Sequence, residues 1–206
     1  MFKHILSAAL LLMSTTVLAQ WKLGALGGAC YNKYTSDEHY LSDLHNEGTW
    51  NWTFGLAGQY DFKKWEWMQS RLGIRAEINY TNKAYEKEKH SPSSNDEIAM
   101  GNKFHQKYFQ LPIMMSYSIG GEKFRGFVNL GGYGGVLTKR YEWSKPFCLG
   151  GVGGFGCEYT FKQCTFQAEL RSYADVISTT KSDRALKTPH YNTTLAIQAA
   201  VFYNIK

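Results

Sequence analysis

The sequence predicts an all-β chain closed into an antiparallel transmembrane barrel of about eight strands, an up-and-down meander behind a cleaved signal peptide. Three observations predict it. Apolar and polar residues alternate with period two through much of the chain, short connections alternate with long ones, and aromatic residues gather at the strand ends.

The first element is the export signal. Lys3 and His4 form a basic start, Ile5 to Met13 an apolar run, and Val17-Leu18-Ala19 a small-residue cleavage site before Gln20. That run is about half of the roughly 20 apolar residues that a membrane-anchoring helix needs, and Ser14, Thr15 and Thr16 interrupt it. Residues 1–19 are therefore set apart from the fold, and 20–206 are expected to form one barrel domain. An aromatic content of 16% beside a charged content of 19% argues against disorder. After Gln20 no run of 18 apolar residues occurs, which excludes a helical membrane protein. Barrel strands escape that test, because their alternation averages away in a hydropathy window.

Strands are expected near residues 21–33, 50–61, 68–82, 106–119, 124–139, 149–161, 164–175 and 191–205. The last is clearest: Leu195, Ile197, Ala199, Val201, Tyr203 and Ile205 alternate with a mixed face. Trp52, Phe54, Leu56 and Tyr60 repeat the pattern against Asn51, Thr53, Gly55 and Gln59, and so do Leu72, Ile74, Ala76, Ile78 and Tyr80 against Gly73, Arg75, Glu77 and Asn79. Pairing of the first and last strands would leave no open edge, as hydrocarbon requires of a sheet. Short links at Phe62 to Trp67, Gly120 to Lys123 and Lys162-Gln163 alternate with long ones at 34–49, 83–105, 140–148 and 176–190. That asymmetry matches short periplasmic turns and longer outer loops. Trp21, Trp65, Trp67, Tyr117, Phe124, Phe161, Phe166 and Tyr203 fall near the short-turn ends. Tyr31, Trp50, Tyr80, Phe109, Tyr141, Trp143, Tyr173 and Tyr191 fall near the long-loop ends, so two head-group girdles are expected.

Four segments carry a family resemblance: Leu72-Gly-Ile-Arg-Ala-Glu-Ile-Asn-Tyr80, Tyr108-Phe-Gln-Leu-Pro-Ile113, Asn129-Leu-Gly-Gly-Tyr-Gly-Gly135 and Ala168-Glu-Leu-Arg-Ser-Tyr173. In this order they resemble the PorT-like outer-membrane β-barrel proteins of the Bacteroidetes. The resemblance implies a barrel in the bacterial outer membrane and, from the founding member, a link to protein secretion.

Without Lys3 the mature chain carries 22 basic and 17 acidic residues, a formal charge of +5 scattered along the sequence. It suits anionic lipid head groups or polysaccharide as well as plain solvation. The expected partners are outer-membrane lipid, lipopolysaccharide and the barrel-insertion machinery, with a protein partner at the outer loops. Nucleic acid and cofactors are not expected, and the barrel is expected to be monomeric. Cys30, Cys148, Cys157 and Cys164 leave the reducing cytoplasm, where disulfides are permitted. Cys157 and Cys164 are out of step across their hairpin and Cys30 and Cys148 fall on non-adjacent strands, so free thiols are expected.

Several patterns have the outline of a chemical site. Gly151-x-Gly153-x-x-Gly156, with Asp175 beyond it, fits the dinucleotide fingerprint in letters, but the following Cys157-Glu-Tyr-Thr-Phe161 reads as strand where the fingerprint needs a helix. Asp37, His39, Asp43 and His45, with Glu38 and Glu47, are the candidate metal ligands, but they match no known spacing and read as a solvated loop. His105 or His190 beside Ser178 or Ser182 is the nearest approach to a hydrolytic pair, with nothing to fix its geometry. The informative set is Arg75, Glu77, Glu158, Glu169 and Arg171, all on the face opposite the apolar one. Buried charges of both signs call for pairing, so these residues are expected to form a lumen network that plugs the barrel. The expected function is that of a non-enzymatic integral outer-membrane barrel with binding or envelope-stabilising outer loops. The alternatives are a narrow porin-like channel, a secretion-associated component, and a soluble exported barrel with its faces inverted around an apolar ligand.

Overall fold

A computed structural model describes residues 20–36, 46–62, 70–87, 103–138, 145–177 and 190–205. Residues 1–19, expected to be the signal segment, residues 63–69 and the centres of the long connections lie outside them. Eight strands follow in chain order: β1 (Gln20–Ser36), β2 (Asn46–Asp61), β3 (Ser70–Lys87), β4 (Lys103–Gly120), β5 (Phe124–Leu137), β6 (Phe147–Phe161), β7 (Cys164–Asp175) and β8 (His190–Ile205). Each pairs antiparallel with its sequence neighbour, and β1 pairs with β8 from Trp21↔Ile205 to Ser36↔His190. The sheet closes, and the expected eight-stranded meander is the observed fold.

The register fixes the dimensions. Stepping round through Lys22↔Gln59, Gln59↔Arg75, Arg75↔Met114, Met114↔Gly131, Gly131↔Val152, Val152↔Tyr173, Tyr173↔Thr194 and Thr194↔Asn32 returns to β1 at 32 instead of 22, a climb of ten residues. With strands roughly 4.8 Å apart and a rise of roughly 3.3 Å per residue, this stagger tilts the strands by about 40° and sets the backbone about 8 Å from the axis. Each residue then advances about 2.5 Å along the axis. Long side chains from opposite walls meet across such a radius.

Outward positions are apolar and uncovered: Leu130 is 70% exposed, Leu56 66% and Phe155 61%. A continuous surface of this kind suits hydrocarbon. Aromatic residues border it. Trp21 packs on Tyr60 at 4.8 Å and Tyr60 on Phe62 at 5.4 Å near the short turns, while Tyr31–Trp50, Trp52–Phe54, Phe54–Tyr80 and Tyr80–Phe109 form a belt at the other end. Trp21 and Tyr31 are ten residues apart on β1, about 25 Å along the axis, which is the height of a barrel's apolar band. Tyr173 departs from the expected girdle. It shares its face of β7 with Thr165, Gln167, Glu169 and Arg171, all buried, and its ring stands inside at 4% exposure against Tyr133. Trp65, Trp67, Tyr141 and Trp143 lie outside the described residues.

The strands outrun their expected limits on the long-connection side: β1 reaches Ser36 instead of 33, β2 starts at Asn46 instead of 50, β3 reaches Lys87 instead of 82, and β4 starts at Lys103 instead of 106. The added residues, Tyr34-Thr-Ser36, Asn46-Glu-Gly48 and Lys103-Phe-His105 among them, do not alternate clearly between apolar and polar, so the sequence signal for a strand fades there while pairing continues. At the other end the two described turns, β4–β5 and β6–β7, are tight. Gly120 has φ +136°, and a Cβ there would lie 2.8 Å from the Phe124 carbonyl oxygen, so only glycine fits. Lys162, with φ 54°, closes the β6–β7 hairpin from a left-handed conformation. All four cysteines are free. Cys157 lies opposite Ala168, four residues from Cys164, while Cys30 and Cys148 face inward from non-adjacent strands.

Candidate functional site

Alternation along closed strands sends every second side chain inward, and the inward set is largely polar. Among the described residues ten charged side chains are buried. Lys22, Arg75, Lys83, Arg125 and Arg171 carry five positive charges, and Asp61, Glu77, Glu158, Glu169 and Asp175 five negative ones, so the interior is neutral in sum. They are arranged in tiers.

The middle tier is a quartet. Arg171, from β7, places Nη1 2.6 Å and Nη2 2.9 Å from the two carboxylate oxygens of Glu77 on β3. The same guanidinium holds Glu169 through Nε at 2.9 Å and Nη2 at 2.6 Å, and Nη1 also donates to the Tyr173 hydroxyl at 3.0 Å. Arg75 completes the ring, with Nε 2.5 Å from Glu77 and Nη1 3.4 Å from Glu169, its guanidinium over the Phe202 ring. Asn79 donates to Glu77 at 2.8 Å and Asn129 to Glu169 at 3.0 Å. Fork-shaped, charge-assisted bonds of this kind compensate the desolvation of both partners.

The lower tier stands at the short-turn end. Glu158 accepts from Arg125 at 3.0 Å and lies 3.6 Å from Lys22, which pairs with Asp61 at 2.9 Å. Arg125 also donates to the carbonyls of Gly121 and Glu122, both at 2.9 Å, tying the β4–β5 turn under the mouth. Gln167 joins the tiers, accepting from Arg75 Nη1 at 2.7 Å and donating to Glu158 at 3.0 Å. The upper tier is built differently. The Lys83 ammonium lies 5.1 Å from the Tyr108 ring centre and 5.9 Å from that of Tyr133, whose hydroxyl donates to Asp175. Tyr108 and Tyr133 belong to a buried apolar cluster with Cys30, Val152 and Tyr173, and Tyr173 carries it down to Arg171 of the quartet.

The structure thus brings Arg75, Glu77, Glu169 and Arg171 into one ring and links Glu158 to it through Gln167. Sequence reasoning missed Lys22, Asp61, Lys83, Arg125 and Asp175. Their signal was available in phase alone: Lys22 is two residues from the inward Gly24 and Leu26, and Arg125 is out of phase with Val128 and Leu130. Asp37, His39, Asp43 and His45, and Ser178 and Ser182, lie outside the described residues. No group of three or more His, Cys, Asp or Glu placed for a metal occurs among those described. Gly151 to Gly156 runs through the middle of β6, and Asp175 is occupied by Tyr133.

A closed sheet with a polar interior, an apolar outer band and two aromatic belts defines an integral membrane β-barrel. The sequence profile of the family described as "Outer membrane protein beta-barrel domain" matches residues 14–180, and the chain belongs to that family. It is accordingly an integral protein of the bacterial outer membrane. No curated protein matches it by sequence. Among solved structures it is similar to Ail, the attachment invasion locus protein of Yersinia pestis, solved with the heparin analogue sucrose octasulfate (11% identity, TM-score 0.44, 92% of this chain and 100% of that one). It is also similar to Neisserial surface protein A (13%, TM-score 0.43, 87% and 96%) and to the outer membrane protease OmpT from Escherichia coli (11%, TM-score 0.37, 91% and 96%).

Proposed function

We propose that the protein is a sealed, non-enzymatic barrel that displays its outer connections, 34–49, 83–105 and 176–190, for binding or for stabilising the envelope. The observation that carries this reading is the cross-braced interior, where the described residues pack five cations against five anions inside a wall about 8 Å from the axis. A conducting pore needs a continuous wet path, whereas the Arg75–Glu77–Arg171–Glu169 ring spans the lumen from β3 to β7. Rigid walls with long connections at one end are a common platform for recognition. Planar-bilayer recordings of the refolded protein test the reading: no unitary conductance is expected, and steady unitary steps would replace it with a narrow channel. The resemblance to PorT-like barrels motivates a second reading, a component of a secretion apparatus. Co-purification of the full chain with other envelope proteins from gently solubilised membranes would favour it.

A further inference from the structure

The glycines of β5 and β6 divide by the face they occupy. On the inner face a Cβ would collide, at Gly150 with the Tyr133 ring at 2.7 Å and at Gly154 with Glu169 Oε1 at 2.5 Å. On the outer face there is room. A Cβ on Gly132 or Gly153 would find its nearest neighbour at 3.5 Å, one on Gly134 at 4.0 Å, and one on Gly151 nothing within 4 Å. These positions lie side by side, Gly132 paired with Gly151. Packing does not ask for glycine there, and glycine weakens a strand interior. Its effect is to remove side chains from a surface that elsewhere carries Leu, Ile and Phe.

What remains is a groove of about 690 Å³ in the outer wall, its floor at Gly132 and Gly134 and its sides formed by Ile78, Phe109, Leu111, Ile113, Val136 and Leu149. It lies in the half of the band nearer the long connections, since Phe109 belongs to the upper belt. Its upper end is polar. Lys107, half-buried and in phase with the outward Phe109 and Leu111, stands beside Thr138, whose amide and hydroxyl donate to the Lys107 carbonyl at 2.8 and 2.9 Å.

We propose that this groove seats an acyl chain of the phosphorylated, multiply acylated lipid of the outer leaflet, the lipid A end of lipopolysaccharide, with a phosphate against Lys107. The groove opens on hydrocarbon, its six outward side-wall residues are apolar, and the two polar residues that also border it, Gln110 and Tyr133, are buried on the inner face, so little is offered to specify a peptide. A flexible chain fills an irregular apolar slot, and Lys107, one outward position beyond Phe109 on β4, lies at the level where the head group of that chain begins. The proposal concerns the wall and needs only the membrane placement, so it stands apart from the role of the outer connections.

The test uses the refolded full chain in detergent micelles, with purified lipid A added and retention read by native mass spectrometry. Wild type should hold one lipid A with clear preference over phosphatidylethanolamine. Gly132→Leu with Gly134→Leu, which refills the slot, should weaken retention roughly tenfold. Lys107→Gln should weaken it about fivefold, and should leave retention of dephosphorylated lipid A unchanged. Gly134→Ala is the milder variant should the double one fail to insert. Equal retention by wild type and the groove variants, or no preference over phosphatidylethanolamine, would overturn the proposal. So would a wild-type dimer that the groove variants dissolve, since the occupant would then be a second copy.

Discussion

Replacing Arg171 by Met is the sharpest probe of the interior. The guanidinium is buried, and all five of its N–H groups are used: two on Glu77, two on Glu169 and one on Tyr173. Methionine keeps much of the volume but none of the donors, and the neutral quartet becomes a cluster of net charge −1 with Arg75 as its sole cation. Removing one partner of a buried ion pair costs about 3–5 kcal/mol, mostly from the charge left behind. With a urea slope of about 2 kcal/mol per molar, the unfolding midpoint should fall by about 2 M. Tryptophan fluorescence of the protein refolded into vesicles reads this directly. Glu77→Gln alone should also destabilise, but added to Arg171→Met it restores neutrality around Arg75 and Glu169, so the double variant should lose well under the sum of the single losses. Additive losses, or a shift below about 1 kcal/mol for Arg171→Met, would refute the view that these groups act as one unit.

Two further predictions address the wall and its turns. Leu130 lies midway between Phe124 and Val136 on the outward face of β5, and Leu130→Arg should cost about 2–4 kcal/mol of folding into bilayers, measured by urea titration in vesicles. An unchanged midpoint would mean that this face does not meet hydrocarbon. Lys162→Gly relieves a left-handed residue in the β6–β7 hairpin and should add about 1 kcal/mol to stability, seen as a higher temperature for loss of the compact band in heat-modifiability gels. A lower temperature would show that the Lys162 contact with the Phe161 ring outweighs the backbone gain.

Period-two alternation is strong where one face meets lipid and the other a polar lumen, so β2, β3 and β8 are legible from Trp52, Ile74 and Ile197 outward and from Gln59, Arg75 and Gln198 inward. In β1 the run Gly24-Ala-Leu-Gly-Gly28 dilutes that contrast and masks the inward phase of Lys22. Tyr173 is misplaced by sequence reasoning for a related cause. An aromatic residue near a strand end fits either a girdle or a lumen cap, and only its phase with Glu169 and Arg171 decides. Gln167 and Glu158 face each other directly across the β6–β7 hairpin, but the reach of Arg75 to Gln167 is beyond the sequence, because β3 and β7 meet only across a closed barrel. Residue chemistry marks which side chains face inward, while the register decides which of them touch.

The unequal strand lengths shape the mouth. Past the upper belt β3 runs on for seven residues from Tyr80 to Lys87, and β4 for six from Phe109 back to Lys103, about 15 Å of paired sheet along the axis. On the opposite flank β5 stops at Leu137 and β7 at Asp175, level with the belt. Among the described residues the paired sheet thus stands higher over β1–β4 than over β5–β7. A rim position at the far ends of β3 and β4 therefore stands about 15 Å farther from the head-group level than Leu137 or Asp175.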